Sequence, residues 1–188
     1  MEALGVDVIL ASVQKCFGMP PGFAVAAVSG KALERSKTVE NRGYYFDFQA
    51  MLKYHGKNQT FSTPSVSHVF ALEVQLDKML AEGPDARFAR HQEMAGFVQK
   101  WALEGGFGIF PQEGYWSDTL TVITNTKEID IVELNKFLLA EKDALLANGY
   151  GKLKGQTFRI PHMADLTMQD MKNITTWIQE GAEKQGRW

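Results

Sequence analysis

Ser12-Val13-Gln14-Lys15-Cys16-Phe17-Gly18-Met19-Pro20-Pro21-Gly22 joins two apolar runs, and the fold turns on how it is read. The run before it, Val6 to Ala11, contains one polar residue, Asp7, and the run after it, Phe23 to Val28, contains none. Such runs suit β-strands covered on both faces, and the Gly-Met-Pro-Pro-Gly segment makes a stiff turn. Lys15 is therefore expected at the exposed end of a buried strand. An ordinary lysine amine, with a pKa of about 10.4, is a poor nucleophile at neutral pH. Burial lowers that value readily, which is how lysines become covalent catalysts. Spacing alone leaves two readings open, a catalytic amine and a solvated loop cation.

Downstream, Ser29 to Arg35 reads as a short helix. Arg42-Gly43-Tyr44-Tyr45-Phe46-Asp47-Phe48 reads as aromatic packing and interface area ahead of Met51 to Tyr54. Lys57-Asn58-Gln59-Thr60-Phe61-Ser62-Thr63-Pro64-Ser65 is dense in hydroxyl and amide donors just before a helix. In that helix Val66, Val69, Phe70, Leu72, Leu76 and Leu80 approximate helical spacing. Such a start is either an anion site or a helix capped by Ser62 or Thr63. Gly83-Pro84 ends this helix, and a second runs from Asp85 to Glu104, stopped by Gly105-Gly106. Gly105-Gly106-Phe107-Gly108 lacks the spacing of a nucleotide loop and carries no functional weight.

From Leu120-Thr121-Val122-Ile123 onward the pattern is strand, helix, strand, helix. Asp130 with Glu133 is expected to form a capping box, opening a helix that carries Ile131, Leu134, Leu138 and Leu145 and that Gly149 closes. Thr157 to Ile160 reads as a strand. Thr167 with Asp170 opens a last helix, burying Met171, Ile174, Trp177 and Ile178. In Phe158-Arg159-Ile160-Pro161-His162-Met163-Ala164-Asp165, Arg159 offers a planar fork suited to a carboxylate, or is a surface arginine near the chain end. His162 is read as structural.

At 188 residues, with 45% hydrophobic and 22% charged residues, the chain is long enough to bury a real core. A net charge of -2 gives no electrostatic reason to expect nucleic acid or an anionic membrane as partner. The single cysteine, Cys16, excludes an internal disulfide and fits a reducing compartment. No apolar run approaches membrane-spanning length, so the expected location is cytoplasmic.

Three segments together, Ser12 to Gly22, the Thr63-Pro64 helix start and the Arg159-Ile160 strand, resemble the class V (fold type I) pyridoxal-phosphate aminotransferases, the alanine-glyoxylate, serine-pyruvate and phosphoserine group. The resemblance implies an α/β fold: the end of a fold-type-I large-domain sheet plus a small C-terminal α+β domain. Residues 1–82 would be the C-terminal part of the cofactor-binding large domain and residues 83–188 the small domain. It implies pyridoxal 5'-phosphate as cofactor, with Lys15 as its attachment point and proton carrier and Ser12 and Gln14 beside it. Thr63, with Gln59 and Thr60 as weaker candidates, would reach the cofactor phosphate of a neighbouring subunit in a homodimer. Arg159 would grip the substrate α-carboxylate. The substrates would be a small amino acid and a 2-oxo acid. Pro161 and Ala164 stand where the family often has glycine or another small residue.

On this resemblance the chain corresponds to the C-terminal half of an aminotransferase. The acidic partner of the pyridine nitrogen, the ring-stacking aromatic and the phosphate loop are then expected upstream of Met1. Alone, the chain would bind the cofactor weakly and would not turn over. A cysteine desulfurase or related lyase is the alternative within the cofactor class, but there the lysine usually follows His, whereas Gln14 stands here. In a different class, the chain would be a non-catalytic interaction domain or a fragment that completes a partner.

Overall fold

The computed structural model of the chain describes residues 1–188, with the side chain of Glu2 outside the description. Two compact units, Met1–Lys78 and Met79–Trp188, divide it.

In the first unit, β1 (Val8–Ser12) pairs antiparallel with β2 (Ala24–Val28), Val8 opposite Val28 and Ser12 opposite Ala24. The connecting loop is stitched by three backbone bonds. The Val13 N–H donates to the Phe23 carbonyl (3.2 Å), the Met19 N–H to the Val13 carbonyl (3.1 Å) and the Gly18 N–H to the Lys15 carbonyl (2.8 Å). Val13 and Met19 are buried and anchor the loop, and Gly18 takes a φ of 67° that a side chain would strain. The helices α1 (Gly30–Ser36) and α2 (Phe48–His55) are capped by Ser29 and Asp47, each through a side-chain oxygen that accepts a first-turn N–H. Gln49 Nε2 joins the two helices by donating to the Leu33 carbonyl (2.8 Å) and to Ser36 Oγ (2.6 Å).

The helix α3 (Val66–Glu82) follows. Its first turn is fastened to the hairpin loop by His68, which bonds Ser65 Oγ (2.7 Å) and the Pro21 carbonyl (3.2 Å) and stacks on Phe23 at 5.8 Å.

The expected burial of both strands is not met within the chain. Leu10 is 72% exposed and Val8 and Ile9 are exposed beside it, while on α3 Phe70 is 65% exposed. A two-stranded ribbon with three helices has too few elements to cover both faces of the ribbon and the apolar stripe of a long helix. The apolar spacing encodes the elements, but not a cover for them.

The second unit contains α4 (Pro84–Glu104), β3 (Gly108–Ile109), β4 (Leu120–Thr124), α5 (Ile131–Lys142), β5 (Ala147–Asn148), β6 (Thr157–Pro161) and α6 (Met168–Lys184). The sheet order is β3-β4-β6-β5 and every pair is antiparallel. Strand alternation turns Thr121 and Ile123 of β4, with Phe158 and Ile160 of β6, into the core. Met94, Val98 and Ala102 of α4, Leu134 and Leu138 of α5, and Met171 and Ile178 of α6 complete it. Phe107 meets Phe158 edge to face at 5.4 Å. Arg159 and Val122, paired opposite each other, fall on the other face of the sheet.

Two local expectations change here. The helix α5 ends at Lys142, with Asp143 in the left-handed region (φ 49°), and not at Gly149. Asn135 explains the early stop, because its amide exchanges two hydrogen bonds with the Leu146 backbone (2.9 and 2.7 Å) and turns the chain toward β5, leaving Leu145 exposed. Asp130 does cap α5, accepting from the Val132 and Glu133 N–H groups. The reciprocal half of the box is absent, since Glu133 pairs with Lys136 (2.6 Å) and the Asp130 N–H donates to Gln185 Oε1 (2.8 Å). At α6 the expected box between Thr167 and Asp170 is complete. Among the described residues, no helix is long and apolar enough to cross a membrane.

Candidate active-site residues

The Lys15 segment is positioned by β1 and by the stitched loop after it. Burial of Val13 turns its neighbours outward, so that Ser12, Gln14 and Lys15 are all exposed. None of these three side chains has a hydrogen bond or ion pair within the chain among the described residues. Lys15 thus carries an amine without a neutralising partner among the described residues.

Thr63, Thr60 and Gln59 lie in the loop between α2 and α3, in the same unit. Thr60 Oγ1 donates to the Ser62 carbonyl (2.7 Å), and the Thr63 hydroxyl and the Gln59 side-chain amide have no hydrogen bond among the described residues. Gln59 and Thr60 line an open cavity of about 530 Å³ with His55, Asn58 and Pro64. Tyr44 fixes one side of this loop by donating its hydroxyl to the Phe61 carbonyl (3.1 Å). A hydroxyl and an amide on one loop, and an exposed amine on another, are donor types that a phosphate and an aldehyde require. The first unit therefore fits the cofactor that the sequence implies.

Arg159 lies in the second unit, at the middle of β6, where it pairs with Val122 on one side and Ala147 on the other. Its Nη2 donates to the Asn148 carbonyl (3.0 Å) and its guanidinium carbon lies 4.2 Å from the centre of the Tyr150 ring. Its Nε is buried and has no hydrogen-bond partner. A buried N–H without an acceptor costs about 1–3 kcal/mol; sealed from solvent, it is not itself open to a ligand, and an anion would have to meet the Nη groups.

The loop after β6 is held more firmly than its sequence announces. His162 is fully buried. Because the Asp118 carbonyl can only accept, His162 Nδ1 donates to it (3.0 Å), and Nε2 then accepts from Thr121 Oγ1 (2.8 Å). Burial first of all pushes the imidazole pKa down, so the ring stays neutral and structural. Ala164, where the resemblance favours a small residue, takes a φ of 60°. Its carbonyl accepts from Arg90 Nη2 (2.9 Å), and the Leu166 carbonyl accepts from Arg90 Nη1 (2.6 Å). Glu82 completes the clamp, accepting from Arg90 Nε (2.6 Å) and from the buried Arg87 (2.8 Å).

Sequence reasoning missed this clamp and missed Tyr150. Glu82, Arg87 and Arg90 flank the Gly83-Pro84 helix break, a spacing that reads as ordinary solvated charge until the break folds one helix end onto the next. Asn148-Gly149-Tyr150-Gly151 has the composition of a turn, but nothing in it names the arginine nine residues beyond Tyr150 as its neighbour.

No protein-family model matches the chain. Over 165 residues it is 35% identical to an uncharacterized aminotransferase of Methanocaldococcus jannaschii, covering 87% of this chain and 43% of that protein. Over 169 residues it is 32% identical to a serine–glyoxylate aminotransferase of Hyphomicrobium methylovorum, covering 88% of this chain and 42% of that one. The crystal structure of pyridoxamine-pyruvate aminotransferase from Mesorhizobium loti superposes with a TM-score of 0.85 at 26% identity, covering 100% of this chain and 49% of that chain. The chain spans a little under half the length of these proteins. Its sequence relatives and structural neighbours are class V pyridoxal-phosphate aminotransferases, which the chain matches over a little under half their length.

Proposed function

We propose that this chain supplies the lysine and the carboxylate-binding half of a pyridoxal-phosphate aminotransferase that moves an amino group from a small amino acid to a 2-oxo acid. The observation that carries the reading is the exposed Lys15 amine, without a hydrogen bond or ion pair among the described residues, on a hairpin loop fixed by backbone bonds. In this reading residues 1–82 belong to the cofactor-binding large domain and residues 83–188 form the small domain.

Pyridoxal phosphate, when bound, supplies the electron sink that makes the α-proton of an amino acid removable. The protein's part is position and proton transfer. Lys15 Nζ would be the attachment point and, once free, would take the proton from the α-carbon as general base and, as its ammonium, give it to the carbon on the other side of the imine nitrogen as general acid. Ser12 and Gln14 lie beside it on the strand end. Arg159 holds the α-carboxylate by charge-assisted hydrogen bonds, which sets the direction of the α-hydrogen. Thr63, with Gln59, donates to the cofactor phosphate across the interface of a cytoplasmic homodimer, and Thr60 joins them only by turning its hydroxyl away from the Ser62 carbonyl. The exposed apolar residues of β1 and α3 support association, because water-facing Leu10 and Phe70 gain from any cover.

Borohydride reduction of the chain in the presence of pyridoxal phosphate, followed by peptide mass mapping, tests the assignment. The expected label is on the peptide carrying Lys15, and it is lost in Lys15→Ala. A label spread evenly over the exposed lysines, unchanged by Lys15→Ala, refutes it.

A further inference from the structure

The three backbone bonds that stitch the Lys15 loop all close within the hairpin, whereas His68 reaches the loop from a different element, the first turn of α3. The Pro21 carbonyl can only accept, so in the neutral imidazole Nε2 carries the hydrogen and donates to it at 3.2 Å. Nδ1 is then the acceptor, and Ser65 Oγ donates to it at 2.7 Å. The ring also lies nearly parallel to that of Phe23, with 17° between the planes and 5.8 Å between the centres. Phe23 is the residue whose carbonyl accepts from the Val13 N–H at the foot of the loop. One side chain therefore holds the returning strand of the loop at two residues, Pro21 and Phe23.

The path from Pro21 back to Lys15 is stiff. The rings of Pro20 and Pro21 lock their own φ angles, so a fixed Pro21 carbonyl restrains Met19 before them. The Met19 N–H donates to the Val13 carbonyl at 3.1 Å, and the Gly18 N–H donates to the carbonyl of Lys15 itself at 2.8 Å. Cys16 and Phe17, between them, are half-buried, and Cys16 makes a contact of its own. The amine of an exposed lysine rides on a flexible four-carbon stem, so what the protein can fix for it is the backbone from which it starts. Each degree of freedom removed there is one that a ligand does not have to remove on binding.

We propose that His68 is a positioning residue for Lys15: by donating from Nε2 to the Pro21 carbonyl, it keeps the loop that carries the lysine on one course. The proposal rests on the reading of Lys15 as the cofactor lysine, and the experiment separates the two. The 188-residue chain and its variants are treated with limiting pyridoxal phosphate and borohydride. Peptide mass mapping then gives the labelling of Lys15 relative to Lys53 and Lys172, which are also exposed. Amide hydrogen exchange, read by mass spectrometry on the loop and on the strands β1 and β2, reports on the fold. Two variants divide the two hydrogen bonds of the ring. His68→Gln places an amide N–H where Nε2 stood, within reach of Pro21. His68→Asn keeps an acceptor for Ser65 and is too short for Pro21.

The expected result is that the wild-type chain labels Lys15 ahead of Lys53 and Lys172. His68→Ala lowers that preference about two- to tenfold, the range that the loss of one hydrogen bond covers, and speeds exchange in the loop while the strand amides keep their protection. His68→Gln restores the preference and His68→Asn does not. A wild-type preference that is unchanged in His68→Ala overturns the positioning role and leaves the Lys15 reading standing. Restoration by His68→Asn, or by neither variant, also overturns it, because the Pro21 bond is then not what matters. A loss of protection that reaches β1 and β2 makes His68 a residue of the fold and overturns it too. A wild-type chain without preference for Lys15 overturns the Lys15 reading and this inference with it.

Discussion

Glu82 is the carboxylate on which the clamp on the loop after β6 depends, and its removal has a calculable effect. Its two oxygens accept from Arg90 Nε at 2.6 Å, from Arg90 Nη2 at 3.1 Å and from Arg87 Nη1 at 2.8 Å. The Arg90 hydrogen bond is the largest influence on its carboxyl. Working against burial and helped by Arg87, it holds the pKa at about 2, below the ordinary 4.5. At about 1.36 kcal/mol for each pKa step, that corresponds to roughly 3 kcal/mol. The side chain keeps 26% of its surface in water, and solvent screening reduces the expected contribution to about 1–2 kcal/mol.

The sign follows from linkage. A carboxylate whose folded pKa lies below its unfolded value stabilises the folded state fully above about pH 4.5, and the contribution fades as pH falls toward 2. Glu82→Gln should therefore lower the unfolding free energy by about 1–2 kcal/mol at pH 7, with the gap from wild type narrowing steadily below pH 4.5. The assay is urea unfolding followed by tryptophan fluorescence at several pH values. Trp101, Trp116, Trp177 and Trp188 are the only tryptophans in the sequence and all lie in the unit that holds Glu82, so the signal is not mixed with unfolding of the first unit. Wild-type and variant curves that stay parallel from pH 7 to pH 3 would show that the clamp contributes nothing through this carboxylate.

Two further outcomes follow from the same region. Burial lowers the His162 pKa, so the neutral ring stabilises the fold above the ordinary value of 6.5 and that stabilisation is lost as pH falls through the folded value. In proton NMR its Cε1–H should titrate with a midpoint below 6.5, and a midpoint at or above 6.5 contradicts the buried, neutral assignment. Gly149→Ala places a methyl group against the Leu153 carbonyl and Thr157 hydroxyl and should cost about 1–3 kcal/mol of stability, read as a lower thermal midpoint. An unchanged midpoint would mean the turn has room that the structure denies it.

Most of the element boundaries were legible because local chemistry sets them. Gly83-Pro84 breaks one helix and starts the next, Thr167 with Asp170 caps α6, and Gly105 closes α4. The candidate sites at Lys15 and Arg159 are proposed only through the resemblance of three segments, since neither residue's spacing separates it from an ordinary surface cation. What stayed hidden was every feature made by pairs distant in sequence. The early end of α5 is decided by Asn135 reaching Leu146, and the failure of its capping box by Gln185 reaching Asp130.

The sequence by itself determined periodicity, caps and breaks, which are interactions between residues a few positions apart and act before the chain has a tertiary form. Burial was not among them. The same apolar run reads identically whether its faces are covered or open, and in β1 they are open. Only the tertiary structure decided which donors are consumed. Arg159 has the Tyr150 ring centre 4.2 Å from its guanidinium carbon, one Nη2 hydrogen taken by the Asn148 carbonyl and its Nε buried without a partner. A side chain's chemistry is fixed by its own atoms, but what remains of it for a ligand depends on which neighbours have already taken its hydrogen bonds.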